Sequence, residues 1–319
     1  MTSKINNLIS GLILAALVAI SGCGSDSDAV IVDFDKTIAV ERPESDVPQK
    51  ASLNVAVAAM ISPKETFSYY RELLDFIGGK MDRNVRLIQR KTYGEVNELF
   101  QKGQVDLAFI CSGPYAVDRE KYGFEALATP LVRGKPFYQS YLIVNKTSTY
   151  QKFTDLRGKI FAFTDPDSNT GALVPQFWLS KMGETPESFF ENFTYTYSHD
   201  NSIMAVARAL VDGATVDGHK WEYFQSRNPI YSSKTRVLKK SELFGSPPLV
   251  ASVALPPQDK EQIRQLVFTM HLDPEGKKIL EKLMIDRFVS PEEKWYEPIR
   301  LMKYALKHPG GPVYATQKF

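Results

Sequence analysis

Short apolar runs alternate with segments of helical periodicity along most of this chain. The first run, residues 54–60, predicts a buried strand, and Ser62 with Pro63 then begins a helix as N-cap and first-turn residue. Apolar residues three or four positions apart continue that helix until Gly78 and Gly79 end it. The further predicted strands are residues 85–89, 106–110, 159–164, 193–197 and 214–216. Strands separated by helices of this length predict an α/β fold with mostly parallel sheets.

Polar residues follow three of these predicted strands. Residues 165–171, residues 198–202 and Asp217 each come directly after one of them. In open α/β sheets, ligands bind beyond the carboxyl ends of the strands. A helix that starts at such a point also offers unpaired N–H groups and a dipole that favours an anion. The pattern therefore indicates a binding site for an anion at this edge of the sheets.

The N-terminus has the layout of a secretory signal. Lys4 supplies a positive charge, residues 8–20 form an apolar run, and small residues lead to Cys23. The run is too short for a membrane-spanning helix. A cysteine at this point resembles a bacterial lipobox, in which Cys23 would be diacylated and become the first residue of the mature chain. We therefore expect residues 1–22 to be a lipoprotein signal peptide. The protein would be extracytoplasmic, in the periplasm, and lipid-anchored to a bacterial membrane, with inner and outer membrane both open.

The polar composition of residues 23–50 predicts a flexible tether, because such a segment buries too little apolar surface to fold. The folded part should begin near Ala51. About 270 residues then remain, which suits two lobes better than a single core. The formal net charge is only +2, whereas nucleic-acid binding needs a basic surface that displaces counterions. We therefore expect no nucleic-acid partner.

Cysteine and histidine usage limits the chemistry further. The chain has two cysteines, so lipidation of Cys23 would leave Cys111 without a disulfide partner. The four histidines show no paired ligand spacing. We therefore expect neither a metal site nor a cofactor.

Several segments, in this order along the chain, resemble the phosphate, phosphite and phosphonate substrate-binding proteins of ABC transporters. Residues 165–171, followed by Val174 and Pro175, resemble the ligand loop of that family. The other matching segments are residues 105–109, 113–115 and 138–145, His199, and residues 273–278. The resemblance covers about residues 54–295. It implies a type II periplasmic binding protein fold, in which two α/β lobes are joined by two crossing strands and close on a ligand.

The resemblance also implies a division of the chain. Lobe one would comprise residues 51–140 together with 249–319, and lobe two residues 141–248. The crossing strands would lie near residues 138–144 and 248–254. A ligand that bridges both lobes stabilises the closed form, which a membrane protein can then read. The implied protein is a binding protein rather than an enzyme. We expect a monomer whose partners are a small oxyanion and an inner-membrane ABC permease or sensor kinase.

In the family that the chain resembles, hydroxyls, backbone amides and a histidine hold a tetrahedral oxyanion. The residues at the matching positions are Ser168, Asn169, Thr170, Gly171 and His199. Tyr93 matches a tyrosine that closes over the ligand from the opposite lobe, and Asp217 matches an acidic position that faces the ammonium group in aminophosphonate binders. Asn169 replaces a hydroxyl residue of those binders, and a second acidic group has no match. These departures favour phosphate, phosphite or methylphosphonate, while a role of Ser168 or Thr170 as a helix cap stays open.

Cys111 and Ser112 follow the predicted strand at residues 106–110 and should also face the cleft. A thiol at this place suits a thiophilic ligand. The same family includes arsenite-sensing proteins with a corresponding cysteine, so arsenite sensing for a sensor kinase is the alternative function. Cys111 and His199 could also form a thiolate–imidazole pair, but no protease signature surrounds the cysteine, so we expect no catalysis. An ordinary buried cysteine is the remaining interpretation.

Overall fold

The computed structural model describes residues 52–308. Its fold consists of two β-sheets flanked by helices, with a short ribbon between them. The expected signal peptide, Cys23 and the tether lie outside the described residues. The first strand begins at Ser52, next to the expected start of the folded part at Ala51. Within residues 52–308, no helix combines the length and the apolar character that crossing a membrane requires.

The first sheet contains six strands. These are β1 (Ser52–Val57), β2 (Asn84–Gln89), β3 (Leu107–Phe109), β4 (Phe124–Leu131), β12 (Leu249–Ser252) and β13 (Arg287–Val289). Their order across the sheet is β13–β4–β12–β3–β1–β2. Strand β1 pairs in parallel with β2 and β3, whereas β12 runs antiparallel to β3 and β4, and β13 antiparallel to β4.

The second sheet contains five strands. These are β6 (Ser140–Asn145), β7 (Ile160–Phe163), β8 (Asn192–Tyr195), β9 (Gly213–Asp217) and β10 (Thr235–Lys240). Their order is β10–β6–β9–β7–β8. Strand β7 pairs in parallel with β8 and β9, and β6 runs antiparallel to β9 and β10.

A two-stranded antiparallel ribbon joins the two sheets. It consists of β5 (Phe137–Tyr138), through which the chain leaves the first sheet, and β11 (Phe244–Gly245), through which it returns. Each strand is only two residues long. The ribbon begins at the first expected crossing and lies a few residues before the second. We call β5 and β11 the crossing strands.

Helices pack against both sheets. In chain order they are α1 (Pro63–Met81), α2 (Tyr93–Gln101), α3 (Ser112–Tyr122), α4 (Val174–Ser180), α5 (Pro186–Phe189), α6 (His199–Ala207), α7 (Gly218–Arg227), α8 (Pro229–Ser232), α9 (Pro257–Thr269), α10 (Pro274–Lys282) and α11 (Glu297–Lys307). Fully buried apolar side chains fill the space under them, such as Leu53 and Leu73 at the first sheet and Phe161, Phe163 and Val206 at the second.

Helix α1 begins where it was predicted to begin but ends later than predicted. Ser62 is the N-cap residue, but its side chain accepts no capping hydrogen bond. The helix also continues past Gly78 and Gly79 to Met81, and Asp82 then adopts a left-handed conformation with φ of 52°. A Cβ atom at Gly78 would lie 2.6 Å from Cγ2 of Val85. The glycine therefore allows the helix to approach β2 closely instead of ending the helix.

The predicted fold class is confirmed in its two sheets, flanking helices and two-stranded connection. The sheets are mixed, however, and parallel pairing is confined to β1 with β2 and β3 and to β7 with β8 and β9. Most strands of each sheet nevertheless share one direction, as predicted, and only β12 and β13 in the first sheet and β6 in the second run against the others. Because the chain crosses between the sheets twice, strands β6 and β12 enter from the ribbon and run against their neighbours.

Candidate functional site

All nine candidate binding residues are buried, and they lie where strands end and helices begin. Tyr93, Ser112 and His199 are the first residues of α2, α3 and α6. Cys111 and Asp217 are the N-cap residues of α3 and α7. Eight of them are no more than 2% exposed: Tyr93, Cys111, Ser112, Ser168, Asn169, Thr170, His199 and Asp217. The ninth, Gly171, is buried as well.

Hydrogen bonds connect these residues across the space between the two sheets. The backbone N–H of Tyr93 donates to Oδ2 of Asp165 at 3.1 Å. On another side, the backbone N–H of His199 donates to the carbonyl of Met60 at 3.0 Å. Met60 follows β1 and Tyr93 begins the helix after β2, both strands of the first sheet, whereas Asp165 and His199 follow strands of the second. The described contacts therefore bring both halves of the predicted site together.

The segment 168–171 begins a π-helical turn, Asn169–Leu173, that leads into α4. Ser168 acts as an N-cap, and its Oγ accepts from the backbone N–H of Gly171 at 3.0 Å. A Cβ atom on Gly171 would lie 2.4 Å from the side chain of Thr164, so only glycine fits there. The carbonyl of Thr170 accepts from the hydroxyl of Ser140 at 2.7 Å. The Thr170 hydroxyl itself is buried and has no hydrogen-bond partner.

His199 presents an uncharged imidazole. Its Nδ1 accepts from the backbone N–H of Asp217 at 3.2 Å, and the Thr164 hydroxyl lies 3.1 Å from the same nitrogen. Because Nδ1 acts as an acceptor, the proton of the neutral ring is on Nε2. Burial lowers the pKa of His199 to about 4, which the nearby Asp217 carboxylate only partly opposes. The ring therefore offers one N–H donor without a positive charge.

Tyr93 offers a second uncharged donor from the other side. Its hydroxyl is buried and has no hydrogen-bond partner. Burial raises the pKa of Tyr93 well above its usual value, with Cys111, Asp165 and Asp217 close enough to raise it further. The phenol therefore keeps its proton. A capping box begins the helix that carries it, because Thr92 and Glu95 accept from each other's backbone N–H groups.

Cys111 and Ser112 behave differently from each other. Burial raises the pKa of the Cys111 thiol to about 11, although the N–H groups of Gly113 and Asn169 point at the sulfur. The sulfur is therefore a neutral thiol at physiological pH. The Ser112 hydroxyl already has two partners, because it lies 2.8 Å from the Gly245 carbonyl and 2.9 Å from the Tyr138 hydroxyl. The amide nitrogen of Asn169 also bonds to Tyr138, at 3.1 Å.

Two buried carboxylates border the site. Asp217 caps α7, since its Oδ1 accepts from the backbone N–H of Lys220 at 3.1 Å. It also lines a small cavity of about 60 Å³ together with Met60, Tyr70 and Phe109. Burial raises the pKa of Asp165 to about 6, although the N–H groups of Asp167 and Tyr93 stabilise its carboxylate. Negative charge is thus already present beside the neutral donors.

The sequence did not identify Tyr138, Thr164 or Ser140 as parts of this site. Ser140 begins one buried strand and Thr164 follows another, and a hydroxyl residue at the end of a strand is common without any role in binding. The sequence feature that could have identified them is a polar residue at the end of an apolar run. Within residues 52–308, no group of three or more histidine, cysteine, aspartate or glutamate residues could hold a metal ion.

The arrangement is suited to binding an anion rather than to nucleophilic catalysis. Among the nine candidate residues, the hydroxyls of Tyr93 and Thr170 have no partner, the neutral imidazole of His199 carries one N–H, and the Cys111 thiol is protonated. The one acceptor nitrogen of His199 is already used by the N–H of Asp217. It therefore does not serve as a base for Cys111.

Comparisons with known proteins identify chains that are similar to this one. The family model described as "ABC transporter, phosphonate, periplasmic substrate-binding protein" matches residues 55–296. The phosphonates-binding periplasmic protein of Escherichia coli (strain K12) is 27% identical over 258 residues, which cover 79% of this chain and 76% of that protein. The phosphate-import protein PhnD of Mycolicibacterium smegmatis is 26% identical over 245 residues, which cover 71% of this chain and 74% of that protein.

A solved structure shows the same fold. PhnD1 of Prochlorococcus marinus, determined in complex with methylphosphonate, superposes with a TM-score of 0.72 at 18% identity. The match covers 80% of this chain and 98% of that one. At this level of identity, the similarity concerns the fold.

Proposed function

This chain belongs to the periplasmic substrate-binding proteins of phosphonate ABC transporters, and we propose that it captures a small tetrahedral phosphorus oxyanion for an ABC importer. It is a binding protein and not an enzyme. Phosphate, phosphite and methylphosphonate are the ligands that we consider. The proposed binding residues are Tyr93, Cys111, Ser112, Ser168, Asn169, Thr170, Gly171, His199 and Asp217.

One observation carries this proposal: the hydroxyls of Tyr93 and Thr170 are buried without a hydrogen-bond partner. An unsatisfied buried hydroxyl costs about 1–3 kcal/mol. The two side chains belong to opposite halves of the fold, since Tyr93 begins α2 and Thr170 precedes α4. An oxyanion placed between them would accept from both hydroxyls.

His199 would add a third donor through Nε2. It would do so while neutral, because its pKa is lowered to about 4. The helix beginning at His199 adds the favourable end of a helix dipole. Several uncharged donors of this kind can stabilise a desolvated anion without a neutralising cation.

Titration calorimetry with phosphate, phosphite, methylphosphonate and sulfate tests the proposal. We expect at least one phosphorus oxyanion to bind and sulfate to bind more weakly. Thr170→Val and Tyr93→Phe should each reduce the affinity by roughly five- to thirtyfold, since each removes one donor. Tyr296→Phe is a matched control, because its buried hydroxyl bonds to Thr129 and to the Ser246 carbonyl instead. Absence of binding to all three phosphorus oxyanions would contradict the proposal.

The same geometry supports capture by lobe closure. A ligand held by Tyr93 on one side and Thr170 on the other binds the closed form better than the open form, so it shifts the population towards closure. The proposed lobes are residues 51–140 with 249–319, and residues 141–248. A monomer in this closed form would be the species that the permease recognises.

We further propose that a lipid on Cys23 anchors the protein, after removal of residues 1–22. The support is the sequence pattern alone, and these residues lie outside the described part of the chain. Labelling of cells with a palmitate analogue tests it. Label on the intact protein and none on Cys23→Ala is the expected result, and equal labelling of both would contradict it.

Arsenite sensing through Cys111 has less support. A neutral thiol with a pKa raised to about 11 is a poor ligand until it loses its proton. Cys111 is also the one free cysteine within residues 52–308, so a second thiolate from that part of the chain could not assist. Tight arsenite binding that Cys111→Ser abolishes would restore this alternative, with a sensor kinase as the partner.

A further inference from the structure

A chain of three buried hydrogen bonds connects the segment 168–171 to both crossing strands. Nδ2 of Asn169 lies 3.1 Å from the Tyr138 hydroxyl, which lies 2.9 Å from Oγ of Ser112. Ser112 Oγ in turn lies 2.8 Å from the carbonyl oxygen of Gly245. Asn169 and Ser112 are fully buried, and Tyr138 is only 1% exposed. Water therefore does not replace any of these bonds.

One arrangement of the hydroxyl and amide protons along this chain places a hydrogen in each of the three contacts. The Gly245 carbonyl can only accept, so the single hydroxyl proton of Ser112 is donated to it. Ser112 then accepts from the Tyr138 hydroxyl, which accepts from the amide of Asn169. If the Asn169 amide were flipped, its Oδ1 would accept the Tyr138 proton. The oxygens of Tyr138 and Ser112, 2.9 Å apart, would then have no hydrogen between them. Burial also raises the pKa of Tyr138 well above its usual value, so its proton is retained.

The elements joined in this way have different places in the fold. Asn169 lies between Ser168 and Thr170 in the proposed ligand segment, and Tyr138 and Gly245 belong to the crossing strands β5 and β11. Ser112 begins α3 on the first sheet. One tyrosine hydroxyl on a crossing strand thus contacts both the second half of the fold and the first.

We propose that Tyr138 is a positioning residue for oxyanion binding: it holds Asn169, and through it the backbone that presents the Thr170 hydroxyl, in register with the crossing strands. This inference rests on the proposed function. Asn169 is otherwise held by its backbone alone, because its Oδ1 has no hydrogen-bond partner. Loss of the Tyr138 hydroxyl would leave the Asn169 amide without an acceptor and free the segment to move.

Tyr138→Phe isolates this role, because the ring keeps its packing against Phe244 and His219 while the hydroxyl is lost. We expect it to weaken binding of whichever of phosphate, phosphite and methylphosphonate the wild type binds by roughly five- to thirtyfold, measured by calorimetry well below the melting temperature. Tyr296→Phe, which removes a hydroxyl of equal burial, should change the dissociation constant by less than about twofold.

A double-mutant cycle separates positioning from a general structural role. Asn169→Ala and Tyr138→Phe act through one hydrogen bond, so the double variant should bind no more weakly than the weaker single variant. A purely structural tyrosine would lower the melting temperature and leave the dissociation constant unchanged. An unchanged constant, or additive losses in the cycle, would overturn the proposal. Should Tyr138→Phe fail to fold, hydrogen exchange of residues 170–173 in ligand-free Asn169→Ala tests the same hydrogen bond from its other partner, and exchange equal to that of the wild type would overturn the proposal.

Hydrogen exchange of the ligand-free protein tests the chain without any ligand. In Tyr138→Phe, amides of residues 169–173 should exchange faster than in the wild type, and in Tyr296→Phe they should not. Equal exchange in Tyr138→Phe and the wild type would overturn the proposal. Failure of the wild type to bind any of the three anions would instead refute the proposed function. The hydrogen-exchange result would still decide whether Tyr138 holds the segment 168–171.

Discussion

Burial decides the charge state of the residues around the site. His199 is neutral because its pKa is lowered to about 4, and the Cys111 thiol is neutral because its pKa is raised to about 11. Burial also raises the pKa of Asp165, to about 6. The donors therefore keep their protons throughout the neutral range, and Asp165 and His199 give the protein a pH dependence of stability.

Asp165 should reduce stability above its folded pKa. Its pKa is about 6 in the folded protein and 3.8 ordinarily, so the folded state binds more protons between these values. Stability from this group is present at pH 4 and is lost as the pH rises through 6. The difference in unfolding free energy between Asp165→Asn and the wild type should therefore grow by roughly 2–3 kcal/mol from pH 4 to pH 7.5. Urea denaturation at both values measures it, and a constant difference would refute the assignment.

His199 should have the opposite effect. Its pKa falls from 6.5 to about 4 on folding, so the unfolded state binds the extra proton between these values. Stability is therefore lost as the pH falls from 6.5 towards 4. We expect His199→Gln to be less sensitive than the wild type to acid over this range, by roughly 2–3 kcal/mol in unfolding free energy. Parallel urea denaturation curves at pH 4 and 7 give the comparison, and equal losses in both proteins would contradict it.

The sequence predicted the role of a residue where that role depends only on its immediate neighbours in the chain. Ser168 could be identified as a cap or a ligand from its place before a helix, and the structure places it as the cap of the turn. Tyr138 could not be identified, because its partners Ser112 and Asn169 are 26 and 31 residues away in sequence. Such contacts depend on how the two halves of the fold meet.

At the level of elements, the approach of α3 to the segment 168–171 shapes the site. A Cβ atom on Gly113 would lie 2.5 Å from the carbonyl oxygen of Asp167 and 3.1 Å from the backbone nitrogen of Asn169. Backbone from the two halves is therefore in direct contact at this point. Only a residue without a side chain permits this contact.

Gly113→Ala should therefore weaken ligand binding by about five- to a hundredfold, because the added methyl group pushes the two halves apart at the site. Calorimetry with the phosphorus oxyanion bound by the wild type measures it. Gly79→Ala is the control, since a Cβ atom there would meet nothing within 4 Å. That change should leave binding unaltered and stabilise α1 by about 0.5–1 kcal/mol. Equal affinities of Gly113→Ala and the wild type would show that the contact does not matter.

The elements were predicted better than their boundaries and directions. Strands and helices followed the apolar pattern, because that pattern reports which face is buried. Gly78 did not end α1, because packing against Val85 uses a glycine for close approach. The antiparallel course of β6 and β12 was not predicted, because it follows from the two crossings of the chain and not from any local sequence.

For the whole molecule, hydrogen bonds and ion pairs connect the two halves around the site. The backbone N–H of Ser62 donates to Oδ1 of Asp200 at 2.8 Å, and Arg133 pairs with Glu222 at 2.9 Å. Arg133 is exposed, so its ion pair contributes little. We infer that such contacts bias the two halves towards approach, while a bridging ligand supplies the larger share.

Small-angle X-ray scattering should detect this bias. The bound oxyanion should reduce the radius of gyration of the wild type, since it favours the closed form. At a ligand concentration near the dissociation constant of the wild type, Thr170→Val should show a smaller reduction, because its weaker affinity leaves fewer molecules with a bound anion. A reduction of equal size in both proteins would contradict a role of Thr170 in closure.

The most direct measurement is a crystal structure of the protein grown with methylphosphonate. We expect one anion between the two sheets, with phosphonate oxygens about 2.7–3.2 Å from the hydroxyls of both Tyr93 and Thr170 and from Nε2 of His199. An anion bound elsewhere, or held by residues of only one half of the fold, would contradict the proposed site and the closure that depends on it.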